Sequence, residues 1–159
     1  IKIMDLRELY QEIILDHGKN PRNFKKCNNF NRDAKGHNPL CGDQVHVYLN
    51  LNKDNKIEDI SFQGNGCAIS MASASIMTDL FKGKNVKISK EIVKDYLILV
   101  KEEYNLNNKN ITEDEKTKIM SLSGVKQFPM RVKCATLAWH TFVSAIEKNK
   151  EEVNTEKLD

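Results

Sequence analysis

The sequence predicts an α+β domain in which helices cover a small three-stranded antiparallel sheet. Two observations carry that class. Apolar residues recur at helical spacing near both ends and in the middle of the chain, and Val45 to Phe62 alternates and turns back on itself like a hairpin. At 159 residues the chain has the length of one domain with its own core. Residues 1–147 read as that single domain, and the charged stretch 148–159, "KNKEEVNTEKLD", reads as a frayed or disordered tail.

Taken in order, Asp5 and Glu8 have the spacing of a capping box, and Leu6, Leu9, Tyr10, Ile13, Ile14 and His17 share one helical face. Gly18 and Pro21 end that helix. Asn20 to Pro39 is polar and reads as loop or edge strand. Val45, Val47, Leu49 and Leu51 then alternate, "NKDNK" turns, and Ile57, Ile60 and Phe62 return. Folding the hairpin about Asp54 sets Cys41 opposite Cys67 at its open end. A helix rich in small residues runs from Ala68 to about Lys82. A third starts at a Ser89 cap and carries Ile92, Val93, Tyr96, Leu97, Val100 and Tyr104. Thr112 with Glu115 caps a short charged helix. After Pro129 the last helix buries Val132, Ala135, Trp139, Phe142, Val143 and Ile146.

The net charge of +3 is spread along the chain, which describes a solvated lysine-rich surface and not a nucleic-acid patch. No apolar run approaches the length that crosses a membrane. Neither nucleic acid nor membrane is expected as a partner. The N-terminus leads straight into helix without a secretory signal, so the cytoplasm is expected, or an organelle matrix where a targeting segment has been removed.

The chemistry lies in the cysteines. Cys27, Cys41, Cys67 and Cys134 contain no CxxC pair, and without an export signal a metal or a reactive thiol is a better reading than a disulfide framework. Cys41 precedes the first hairpin strand, Cys67 stands where the second strand hands over to a helix, and Cys134 lies early in the last helix. A helix N-terminus favours the Cys67 thiolate. Asp43 follows Cys41 across Gly42, and three thiolates with one carboxylate form a ligand set that zinc accepts. The same residues also read as small buried side chains and a turn-bracing aspartate. Cys27 competes with Asp43 as fourth ligand but, in a polar loop, reads rather as a free, exposed thiol; His37 reads as a turn residue or alternate ligand, and His17 as a packed core residue. His46 and His140 read as surface positions.

Four segments carry a resemblance. "LYQEIILDHGKNPRN", "NPLCGD", "GNGCAISMASAS" and "FPMRVKCATLAW" together resemble the SufU branch of the U-type iron–sulfur assembly proteins, in order over residues 5 to 147. The resemblance implies a three-stranded antiparallel sheet packed by helices and a Zn2+ ion held by Cys41, Asp43, Cys67 and Cys134. It implies that Cys41 accepts sulfur from the persulfide of a SufS-type pyridoxal-phosphate cysteine desulfurase, whose histidine replaces Cys41 on the metal. The sulfur would pass on to a downstream iron–sulfur scaffold of the SUF system. Two departures separate the chain from the scaffold branch, which carries a histidine where Lys133 stands and an LPPVK-type motif where "QFPMR" stands. On this reading the Lys133 charge stands beside the site and disfavours iron. The segment between Cys67 and Cys134 is also longer than in that branch. Arg131, one turn before Cys134, reads as facing the site and favouring anionic sulfur, or as a surface residue.

Overall fold

The computed structural model describes residues 5–158. The reading of the first four residues as leading into the helix lies outside the described residues, as does Asp159. Helix α1 (Leu6–Lys19) begins at Asp5, whose side chain accepts from the Glu8 N–H. Three strands follow, β1 (Arg32–Asn38), β2 (Asp43–Leu51) and β3 (Ile57–Asn65), and then α2 (Ala68–Phe81), α3 (Val86–Leu99), α4 (Glu113–Ser121), a 3-10 turn over Leu122–Gln127 and α5 (Pro129–Ile146). A two-residue strand β4 (Val153–Asn154) and a 3-10 turn at Thr155–Lys157 close the described chain. Helices lie on a single sheet, as the α+β class requires.

The sheet has four strands in the order β3-β2-β1-β4, not three. The first three form an antiparallel meander, and β4 joins the free edge of β1 in parallel. The stretch read as a frayed tail is therefore placed: β4 pairs with Gly36 and His37, and Thr155 is buried. Its polar sequence hid this, because the segment is held by backbone pairing and one buried hydroxyl rather than by an apolar face.

Strand β1 occupies the stretch read as loop or edge strand. Its inward positions are Ala34, Gly36 and Asn38, too small or too polar to give an alternating signal. The reason is α5, which packs directly on it. A Cβ on Gly36 would run into Thr141 Oγ1 and Leu137 of α5 and Val153 of β4.

The β2–β3 register is one residue from a simple fold about Asp54, with Gln44 opposite Asn65, because a bulge interrupts the pairing at Asn50/Leu51. That bulge lets Ile57, Ile60 and Phe62 all face inward despite their uneven spacing. Helix α3 starts one turn before Ser89. Asn85 is its cap, accepting from the Lys87 N–H, and Ser89 is instead buried with its hydroxyl on the Asn85 carbonyl. The Thr112–Glu115 capping box is complete. The core lies between sheet and helices, around Trp139, Tyr96, Phe62, Phe81 and Phe142.

The close approach of α5 to β1 makes Gly36 a test of the packing. Gly36→Ala is expected to destabilise the protein by about 1–3 kcal/mol, as overpacked cores do. Gly124→Ala, where nothing lies within 4 Å of an added Cβ, is expected to stay within about 0.5 kcal/mol. Urea unfolding of the two variants against the parent measures both.

Candidate metal and sulfur site

The site forms where the β1–β2 hairpin, the start of α2 and the second turn of α5 meet. The loop from Asn38 to Asp43 is closed by the Asn38 carbonyl, which accepts from Gly42 N (2.8 Å) and Cys41 N (3.3 Å). Gly42 takes the left-handed φ of 73° with nothing within 4 Å of a Cβ position, so the turn needs glycine for its conformation and not for space. Cys41 is thereby carried on the outside of a tight turn, partly exposed, while Asp43 begins β2 fully buried.

Asp43 is tied on both oxygens. Oδ1 accepts from the Cys67 backbone N–H at 3.0 Å, and Oδ2 from the Asn38 side-chain amide at 3.3 Å. A Cβ on Gly66 would stand 2.5 Å from Oδ1, so the chain passes this carboxylate only as glycine. Cys67 caps α2, its sulfur accepting from the Ser70 N–H at 3.4 Å. Cys134 is buried on α5, with its sulfur 3.6 Å from that of Cys41 and 3.6 Å from the Asn38 amide nitrogen.

Ligand atoms of Cys41, Asp43 and Cys134 all lie within 4.8 Å of one another. Cys67 stands at the margin of that trio, close enough to Cys134 for their thiols to share a hydrogen bond. That bond is the main reason the Cys67 thiol is held down to about 6, with burial opposing it and the Ser70 and Ile69 N–H groups at the helix start assisting. The Cys134 thiol is pushed up, first by donating to Cys67, then by burial.

The donor set fits zinc. Two sulfurs about 2.3 Å from a tetrahedral zinc lie about 3.8 Å apart, close to the 3.6 Å between Cys41 and Cys134. A buried carboxylate beside a thiolate also needs positive charge, and none of the ion pairs among the described residues involves Asp43. Arg131 faces the sulfurs from the rim. Its guanidinium is stabilised first by a hydrogen bond with Cys134 and then by the charges of Cys67, Cys134 and Cys41.

The other candidates lie elsewhere. Cys27 is free but not exposed. It is buried, and its thiol donates to Asp59 Oδ2 at 3.2 Å, because the segment after α1 folds back along β3 through Asn23 and Lys25. Burial is the first cause that pushes its thiol up, which leaves it protonated. His17 is buried with Nδ1 2.7 Å from Ser75 Oγ. His37 lies in β1, not a turn, and meets Glu152 at 3.2 Å. His46 rests on Asp33, and His140 is largely shielded on α5. The Lys133 ammonium does not stand over the sulfurs as a free charge, because it binds Glu156 at 2.7 Å. The residue that sequence reasoning passed over is Asn38, fully buried and bonded to two of the proposed ligands. Its place at the head of "NPLCGD" was the available signal.

Residues 9–135 match the family model of the NifU-like N terminal domain. The chain is 37% identical over 146 residues to the zinc-dependent sulfurtransferase SufU of Bacillus subtilis, covering 92% of this chain and 95% of that protein. It is 36% identical over 144 residues to the iron–sulfur cluster assembly scaffold protein IscU of Streptococcus pyogenes, covering 91% and 86%. Among solved structures, a protein described as an iron–sulfur cluster assembly scaffold for the SUF system of Fervidobacterium islandicum superposes with a TM-score of 0.75 at 34% identity, over 87% of this chain and 96% of that one. The NifU-like N-terminal protein of Brucella abortus, at 19% identity and a TM-score of 0.77 over 91% and 96%, shares the fold. With most of its length matched in this way, the chain belongs to the NifU-like N-terminal domain family, the family of the SufU and IscU proteins.

Proposed function

We propose that the chain is a zinc-dependent sulfur carrier that takes persulfide sulfur from a cysteine desulfurase of the SufS type and delivers it to iron–sulfur cluster assembly. One observation carries the reading: Cys41 is partly exposed on a glycine turn, whereas Asp43 and Cys134 are buried and Cys67, also partly exposed, is tied down as the cap of α2. A set in which every member was equally enclosed would suit a purely structural ion. Here the thiol on the loop is the one whose departure disturbs no helix or strand.

Cys41, Asp43, Cys67 and Cys134 would hold the zinc, which keeps thiols ionised at neutral pH without oxidising them. Cys41, released by rotation about the Gly42 turn, then presents a thiolate to the donor. It attacks the outer sulfur of the persulfide. The donor S–S bond breaks, its electron pair returns to the donor cysteine as thiolate, and the new S–S bond makes Cys41 the persulfide. Electrons balance within the exchange, so no oxidant is required. Arg131 offers positive charge to the anionic sulfur. Leu40, Phe128 and Met130, each more than half exposed beside the thiols, provide an apolar rim for a protein donor. The acceptor proposed is a downstream iron–sulfur scaffold of the SUF system.

A cluster scaffold using the same cysteines is the second reading, favoured by the name of the Streptococcus pyogenes relative. Metal content separates the two. The purified protein is expected to be colourless with one zinc per chain, with Cys67→Ser and Cys134→Ser losing zinc and Cys27→Ser keeping it. A stable brown cluster formed from iron and sulfide, passing intact to an apo-acceptor without accelerating any desulfurase, gives the case to the scaffold.

The acceptor assignment has its own test. After incubation with desulfurase and free cysteine, peptide mass spectrometry is expected to find added sulfur on Cys41, and desulfurase turnover to rise with the wild type but not with Cys41→Ala. Sulfur found mainly on Cys67 or Cys134 rejects the assignment.

A further inference from the structure

Behind the sulfur cluster a chain of buried polar contacts leads into a part of the protein beyond residue 135, where the family match ends. Its central member is Asn38, with no exposed surface. The Asn38 amide nitrogen donates to Asp43 Oδ2 and to Cys134 Sγ, and its side-chain oxygen accepts from the Thr155 hydroxyl at 3.0 Å. The backbone carbonyl of the same residue holds the Cys41 and Gly42 N–H groups. Asn38 therefore touches the buried ligands through its side chain and the loop of the exposed ligand through its main chain.

We propose that Asn38 is a positioning residue of the metal centre and that Thr155 aims it. The inference rests on the zinc reading above. A carboxylate and a thiolate accept hydrogen bonds and cannot donate them, so the amide must present nitrogen to both. The acceptor-only ligands decide which end of the amide faces them, and the Thr155 hydroxyl, bonded to the Asn38 side-chain oxygen, holds the far end of that amide in place. Thr155 is itself buried and fixed from two sides. β4 pairs with β1 immediately before it, and Glu156 immediately after it binds Lys133, the neighbour of Cys134. The C-terminal strand and turn thus act as a strap whose working contact is one hydroxyl. With Cys41 swung away, Asn38 would still hold Asp43 and Cys134 in the orientation they would present to zinc. Residues that orient ligands in this way typically change metal affinity by about 10–100-fold when removed.

The test compares full-length wild type, Thr155→Val, Thr155→Ser and Asn38→Ala, each loaded with zinc and, separately, with cobalt. Zinc transfer to a chromophoric chelator reads affinity and release, and the cobalt absorption bands read ligand geometry. Thr155→Val is nearly isosteric and lacks only the hydroxyl. It is expected to lose zinc about 10-fold more readily, Asn38→Ala about 10–100-fold, with cobalt bands altered in both, and Thr155→Ser to stay near wild type. Zinc retention and cobalt bands equal to wild type in Thr155→Val and Asn38→Ala overturn the proposal. So does Thr155→Ser failing as badly as Thr155→Val, since the hydroxyl is then not the cause. A wild type that binds no zinc overturns the underlying reading as well, and is distinguished by that fact alone.

Discussion

The arrangement depends on a buried carboxylate. Removing an ion from water costs several kcal/mol unless hydrogen bonds and opposite charge replace the solvent. Asp43 has no exposed surface, and its two described donors come from different elements, the N–H at the start of α2 and the side chain that ends β1. Satisfying one side chain thereby fixes the angle at which α2 leaves the sheet. It also dictates Gly66, since any Cβ there would occupy the space of the carboxylate oxygen. Cys67 follows directly, so its sulfur is delivered to the site by the same contact that satisfies Asp43.

Cys134 is positioned by a different device, the anchoring of α5. The carbonyl of Ala135, the next residue, accepts from both Ser73 of α2 and Tyr96 of α3, and Ser73 in turn accepts from the Trp139 indole. Tyr96 stacks on Trp139 at 3.8 Å between centroids. Small residues along α2 permit this approach, and the hydroxyls among them satisfy the polar groups that close packing buries. Cys134 and Asp43 therefore belong to the rigid core. Cys41 rides on a four-residue turn, residues 39–42, between β1 and β2. The contrast between the buried and the partly exposed candidate ligands arises from where the packing stops.

The charges around the sulfurs are divided by helix geometry. Arg131 and Cys134 are one turn apart on α5 and share a face, so the guanidinium reaches the thiols. Lys133 points along the neighbouring face, where Glu156 neutralises it. The positive charge beside the thiols is thus that of Arg131, while Lys133 fastens the C-terminal turn.

The sequence by itself determined the helices, the central hairpin and the identity of the ligand candidates, because these are local matters. Helical periodicity, the Thr112–Glu115 cap and the β2 alternation are written in neighbouring residues, and Cys41, Gly42 and Asp43 adjoin one another. Only the tertiary structure decided what depends on distant partners. β1 carries no strand signal because its inward residues are small to admit α5, and β4 is a strand only because β1 offers it an edge. Cys27 is buried because the segment before it folds back along β3. The role of Asn38 was invisible for the same reason: Asp43, Cys134 and Thr155 are brought to it from 5, 96 and 117 residues away. Periodicity reports the face a residue shares with its neighbours, and a buried amide is defined by groups that arrive only when the chain has folded.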